Sequence, residues 1–450
     1  MKFILTAACI IFTAMGMSAQ LLKPSADLNL VGLGYAQEEA PFWLYSNRRG
    51  RLNGAANLAA WGNISTRYYL YDDVFLEGGV GILYQDGYSN KVQFDESYLS
   101  FQNDWLSVTL GRKQKKELYK GLSASNENIL WSLNARPLPG IRFSTSRTIF
   151  FGKERRGLGF DASLEEYVTD DDRYVNETRI HHKSFHLVYK ASDKFEIKAG
   201  LQHFVEWAGI SPDYGRLPSS FQDYLSVFAG REGSDSVNGE EANSLGNHLG
   251  SYEIYFNTEI AKYKVQLIYN HLFEDGSGRV LRNTPDGRYG IYIEDIDPVA
   301  DRWVDAVMYE LYYTKNQSRQ SPTSDGRDNY FNNNLYRSGW TYEHRVIGVP
   351  FITLDEDRFR IANNTLIAHH FGITGLLFEK LPYKFLTSYR INYGAKGGSP
   401  KPQSEILSTY LELSVVHGFV DVNLELASDF SSVAAPNPGV GVRLSKRFFD

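Results

Sequence analysis

Cysteine is nearly absent from this sequence: the only one, Cys9, falls in an apolar N-terminal stretch. A disulfide framework, a thiol nucleophile and a thiolate metal site are thereby excluded from the rest of the chain. Beyond residue 20 there is no run of about 18 apolar residues, so no membrane-spanning helix is expected. The charge balance, 47 Lys and Arg against 53 Asp and Glu with a formal net charge of −6, gives no basic footprint for nucleic acid. H-E-x-x-H spacing and a G-x-S-x-G elbow are both missing. Among the ten histidines are the adjacent pairs His181-His182 and His369-His370. Neighbours on a strand point to opposite faces, so neither pair forms a two-ligand site alone. Catalysis, a metal and a cofactor are therefore not expected. Glu165-Glu166 and Asp170 to Asp172 read as solvated carboxylates, and Phe160–Asp172 as a charged outer edge suited to the divalent cations of lipopolysaccharide.

What is abundant is aromatic: 30 Tyr, 27 Phe and 7 Trp. "MKFILTAACIIFTAMGMSAQ" has one cation, a short apolar run and small residues. It reads as a secretory signal over residues 1–19. Residues 20–450 then read as one domain. Its strongest pattern has a period of two, which means strand. In "ILSTYLELSVVH", Leu407, Thr409, Leu411, Leu413 and Val415 point one way, and Ser408, Tyr410, Glu412 and Ser414 the other. Val422, Leu424 and Leu426 oppose Asp421, Asn423 and Glu425 in the next segment, and Ile197, Ala199 and Leu201 oppose Glu196, Lys198 and Gln202. The segments are long, and aromatics such as Tyr68, Tyr84, Tyr189, Tyr263 and Tyr313 stand near their apolar ends. An apolar outside, a polar inside and aromatic girdles describe a transmembrane antiparallel β-barrel.

Link lengths support this. Short connections recur at Asp72-Asp73, Gln102 to Asp104, Gly152 to Arg156, Ala191 to Asp193, Ala261-Lys262, Glu379 to Pro382 and His417-Gly418. Between them lie long ones: Gln37 to Asn57, Lys113 to Pro139, Glu206 to Gly250, Phe273 to Arg288 and Lys315 to Asn363. Short periplasmic turns alternating with long outer loops is the barrel rule. The count comes to about 18 strands with both ends periplasmic, Tyr289–Glu294 being the poorest of them. The ending "RFFD" carries the terminal aromatics expected of a closing strand, displaced by Asp450.

One stretch breaks the alternation. "GLSASNENILWSLNARPLPGI", Gly121 to Ile141, holds serines, asparagines, Arg136 and two prolines that suit turns and a stiff return. It reads either as a folded plug or as a plug that also lines a ligand site. Together with "APFWLYSNRRGRL", "GRKQKKELYK" and "DNYFNNNLYRSGWTYEHRVIGVPF" it resembles the Wzi-type capsule assembly family. The resemblance implies an 18-stranded outer-membrane barrel with an occluded lumen. It also implies a lectin-like role, binding exported capsular polysaccharide and holding it on the cell surface. The expected partners are that polysaccharide, outer-membrane lipid and lipopolysaccharide, and the barrel assembly machinery during biogenesis, with the protein a monomer. Sugars are held by aromatic rings and planar polar groups. The candidate residues are thus Trp43, Arg48, Arg112, Asn126, Trp131, Asn134, Arg136 and Trp340, with Arg51, Tyr45, Trp207, Tyr330, Tyr336 and Tyr342 around them. Packing competes with sugar binding as the role of each aromatic. The other functional reading is an open channel for oligosaccharides or other polar solutes, which long links folded into the mouth argue against.

Overall fold

The computed structural model describes residues 22–152, 154–233, 237, 244–274, 276–297, 302–318, 328–355, 360–396 and 403–449. The expected signal segment lies outside these residues. The chain winds up and down through β1 (Leu22–Tyr35), β2 (Leu58–Tyr71), β3 (Val74–Gln85), β4 (Val92–Gln102), β5 (Leu106–Arg112) and β6 (Gly140–Thr145). It continues through β7 (Gly157–Val168), β8 (Arg179–Ser192), β9 (Phe195–Trp207), β10 (Asn247–Ile260), β11 (Tyr263–Phe273) and β12 (Gly287–Asp295). The last third is β13 (Ala306–Tyr313), β14 (Leu366–Leu377), β15 (Leu381–Asn392), β16 (Ser404–Val416), β17 (Asp421–Ser431) and β18 (Asn437–Phe448). Ile149–Phe150 rejoins the ladder against β7 after a break and continues β6. All neighbours are antiparallel. β1 closes on β18 from Ala26↔Phe448 to Tyr35↔Gly439, so eighteen strands make a barrel without a free edge. Closure is what lets strands cross a bilayer, where an unpaired backbone group has no water to bond.

The wall follows the sequence pattern. Leu28, Leu30, Leu99, Leu110, Phe185 and Leu426 are exposed on the outer face, whereas Val31, Glu253, Tyr410 and Glu425 are buried inside. Among the described residues no helix is long and apolar enough to cross a membrane. The poor segment Tyr289–Glu294 is a full strand. Its inward Arg288 finds partners on links far away in the chain, which its local composition cannot show. Phe160–Asp172 is not an outer edge: its first part lies inside β7, and only residues 169–172 are on the link. Glu165 is not solvated either. It is buried in the lumen, with Arg142 Nε at 3.1 Å and His182 Nδ1 at 3.3 Å.

Link 36–57 and link 113–139 turn inward and share one apolar core with lumen-facing side chains and with link 314–365. Two glycines permit the close approach. A Cβ at Gly439 of β18 would stand 2.8 Å from Pro41, and one at Gly372 of β14 would stand 2.7 Å from the Leu122 carbonyl. In link 208–246 a nine-residue helix, Phe221–Ala229, starts on the Ser220 capping box and stops at Gly230 with φ +63°. Its Val227 packs on Val205 and Trp207 of β9.

Candidate functional site

The second long link crosses the lumen from β5 and β6 to the opposite wall. There Glu310 of β13 accepts from Ser123 Oγ and the Ala124 N–H, both at 2.8 Å. Arg288 of β12 donates through Nε to Glu310 at 2.7 Å and through Nη1 to the Glu127 carbonyl at 3.1 Å. Both side chains of this ion pair are fully buried. Asn128 bonds Glu253 of β10, and Tyr119 Oη donates to Gln266 of β11 at 2.6 Å. Polar strand residues that face a lumen thus find their partners on a folded link rather than in water.

Within this arrangement Asn126 works locally. It has φ +57°, accepts from the Leu118 N–H at 2.7 Å and donates to the Lys116 carbonyl at 3.1 Å. The left-handed conformation is one that asparagine tolerates better than most residues. Arg136 is almost fully buried and ties the link to the wall: it donates to Gln93 and to the Phe94 carbonyl of β4, and to Glu343 Oε2 at 3.0 Å. Asn134 donates to the Val346 carbonyl at 2.9 Å. Trp131 packs on Tyr167, Phe204 and Trp340, and Trp340 donates its indole N–H to the Leu130 carbonyl at 2.6 Å. Trp43 lies against Phe42, Phe351 and His370. The three tryptophans are 3%, 5% and 0% exposed for Trp43, Trp131 and Trp340, so protein already covers their ring faces.

Arg48 shares a cavity with Trp43 and Asn126, whereas Arg112 stands apart. Arg48 donates to Glu425 Oε2 and Tyr410 Oη, both at 2.7 Å, on β17 and β16. It lines a cavity of about 230 Å³ with Lys384, Glu412 and Arg443. Arg112 pairs with Asp170 on the link 169–178, whose other carboxylate oxygen accepts from Tyr342.

Arg345 was not among the sequence candidates, yet it joins three segments. Its Nη2, Nη1 and Nε donate to the carbonyls of Tyr45 at 3.0 Å, Leu52 at 2.8 Å and Asn134 at 2.9 Å. Only its place in the motif "YEHRVIG" marks it in the sequence. Above this clamp, at the outer mouth, link 36–57 and residues 343–355 enclose a vestibule of about 630 Å³. Its walls carry Glu38, Glu39, Asp355, His344, Thr353 and the half-buried Tyr45.

Asp286 fastens link 274–286 to link 314–365. It accepts from Tyr330 Oη at 2.6 Å and from the N–H groups of Gln317 at 2.7 Å and Asn316 at 2.9 Å. Burial pushes its carboxyl from 3.8 up to about 6. A carboxyl raised on folding binds its proton more tightly in the native state. Its favourable contribution is complete below the unfolded value near 3.8 and is lost as pH rises through about 6. The amides of Asn316 and Gln317 should therefore lose protection over that window beyond the intrinsic rise in exchange. The loss should amount to at most about 3 kcal/mol. Hydrogen exchange should show it, and Asp286→Asn should abolish the dependence.

A closed, up-and-down barrel with an apolar outer face and long links folded into its lumen defines an outer-membrane β-barrel protein. The chain belongs to the Wzi capsule assembly family, whose model, described as capsule assembly protein Wzi, matches residues 41–355. Its fold is similar to that of Wzi of Escherichia coli, an outer-membrane protein involved in group 1 capsule assembly and a carbohydrate-binding β-barrel. The two share a TM-score of 0.61 at 10% identity, over 93% of this chain and 83% of that one. It is also similar to OccK3 (OpdO) of Pseudomonas aeruginosa, with a TM-score of 0.50 at 11% identity, over 95% of this chain and 96% of that one. At these identities the likeness speaks for the fold alone. No curated protein sequence matches the chain.

Proposed function

We propose that this is a non-enzymatic, lectin-like protein that binds exported capsular polysaccharide at its outer mouth and helps retain it on the cell, with the inward links closing the lumen. The observation that carries this reading is the vestibule of about 630 Å³ between link 36–57 and residues 343–355, in a member of a capsule assembly family. Its size falls within the range of small-ligand sites, roughly 300–1,000 Å³. Glu38, Thr353 and Tyr45 offer hydroxyl-binding groups and an aromatic edge. The buried tryptophans and Arg136 serve the reading indirectly, by fixing the floor under the vestibule.

The test is capsule retention. Cells carrying Glu38→Gln with Tyr45→Ala should shed capsule into the medium, with the barrel at its normal level in the outer membrane. Full retention by that variant would remove the vestibule from the binding role. Porin-like stepwise conductance from the wild-type protein in planar bilayers would instead favour the channel reading.

A further inference from the structure

A second cavity, of about 410 Å³, lies on the other side of the folded link. It runs from Gln102, Ser107 and Ser144, at the short-turn ends of β4, β5 and β6, up to Trp131 and Arg136. The short-turn end of an outer-membrane barrel faces the periplasm. Five cations line the cavity: Lys113, Lys115, Lys116, Arg136 and Arg142. No carboxylate lines it among the described residues.

Three of the five have counter-charges behind the wall. Lys113 is 3.5 Å from Glu77, Arg136 is 3.0 Å from Glu343 and Arg142 is 3.1 Å from Glu165. Lys115 and Lys116 make no ion pair among the described residues. Lys115 Nζ is instead held over the Trp131 ring, 4.1 Å from its centroid. Burial lowers the proton affinity of Lys115, and Glu127 and Glu165 offset only part of that. Two buried donors, Arg136 Nε and Ser146 Oγ, also lack a partner among the described residues. Fixed donors and uncompensated cations around one space are the chemistry of an anion site, because charge-assisted hydrogen bonds are strongest where water is thin. The rim adds the hydroxyls of Ser107 and Ser144 and the amide of Gln102, groups that suit sugar hydroxyls better than a bare ion.

We propose that this cavity binds the carboxylate of an acidic saccharide entering from the periplasmic side, with Lys115 and Lys116 as its main contacts. The site is separate from the outer vestibule, and its occupancy does not depend on the reading given to that vestibule.

The experiment is calorimetric titration of the full chain in detergent with trigalacturonate, maltotriose and inorganic phosphate. Trigalacturonate should saturate, maltotriose should give no heat, and phosphate should compete weakly. Lys115→Gln and Lys116→Gln should each weaken trigalacturonate by about tenfold, with heat-modifiability unchanged. Arg216→Gln, an exposed surface change outside both cavities, should bind it as the wild type does. Absence of saturation, or affinity untouched in both lysine variants, would overturn the site. Phosphate binding as tight as trigalacturonate would overturn the saccharide assignment. Access is tested with Lys116→Cys, the single thiol of residues 20–450. A membrane-impermeant maleimide should label it in opened outer membranes, and trigalacturonate should protect it. Labelling from outside intact cells would overturn entry from the periplasm.

Discussion

Arg288→Met should destabilise the folded barrel by about 3–5 kcal/mol, because it strands a buried carboxylate. Arg288 and Glu310 sit diagonally on β12 and β13, 2.7 Å apart, both fully shielded from solvent. Glu310 would keep the Ser123 hydroxyl and the Ala124 N–H, but two neutral donors do not replace a guanidinium in a medium of low dielectric. The Glu127 carbonyl and Asn270 Oδ1 would lose a donor as well. The reading is about the unpaired charge rather than about packing, and a second change separates the two. Glu310→Gln added to Arg288→Met should recover a good part of the loss, since no charge is then left alone. Denaturant midpoints, read by the mobility of the unheated barrel on gels, measure both. A single variant as stable as the wild type would refute the account, and so would a double variant no better than the single.

The walls were legible in the sequence because their determinant is local. Each residue of β16 or β17 meets either lipid or lumen, so Leu407 and Glu412 reveal their faces by parity alone. Alternation of link lengths then gave the strand count. What parity conceals is who covers the inner face. Glu165 and Glu166 look alike as neighbours in sequence, yet Glu165 turns inward to Arg142 and Glu166 turns outward to His181 at 2.5 Å. The stretch Gly121–Ile141 stood out as non-strand, and its inward course had a signal of its own. "NILWSL" is too apolar for a solvated link, and Ile129, Leu130 and Trp131 are all buried. Its partners were beyond reach. Asn134 meets Val346 and Arg136 meets Glu343, more than two hundred residues away, and no periodicity encodes such pairs. Arg345 was passed over for the same reason: its whole role is to satisfy carbonyls on other links.

Arg345→Met should open the lumen while leaving the wall intact. The guanidinium donates to the carbonyls of Tyr45, Leu52 and Asn134 and makes a further bond to Asn134 Oδ1 at 2.9 Å. It also lies over the Tyr45 ring, 5.3 Å from its centroid. A methionine fills similar space without a donor. Each buried carbonyl left unpaired costs roughly 1–3 kcal/mol, and three take separate N–H groups of this one guanidinium. No strand of the wall bonds to Arg345, so the ladder from β1 to β18 keeps its register and the barrel stays heat-modifiable. The loss falls on the contact between link 36–57, link 113–139 and residues 343–346. In planar bilayers the variant should show more stepwise current than the wild type, and the link amides should exchange faster than the strand amides. Arg136→Met removes two bonds from one link to β4 and a single bond between links, to Glu343, so its current should be smaller and less frequent. If Arg345→Met is silent with its link amides still protected, the links hold one another without the clamp. Closure would then rest on the apolar contacts of Trp43, Trp131 and Trp340, whose truncation to alanine should cost about 3–5 kcal/mol each.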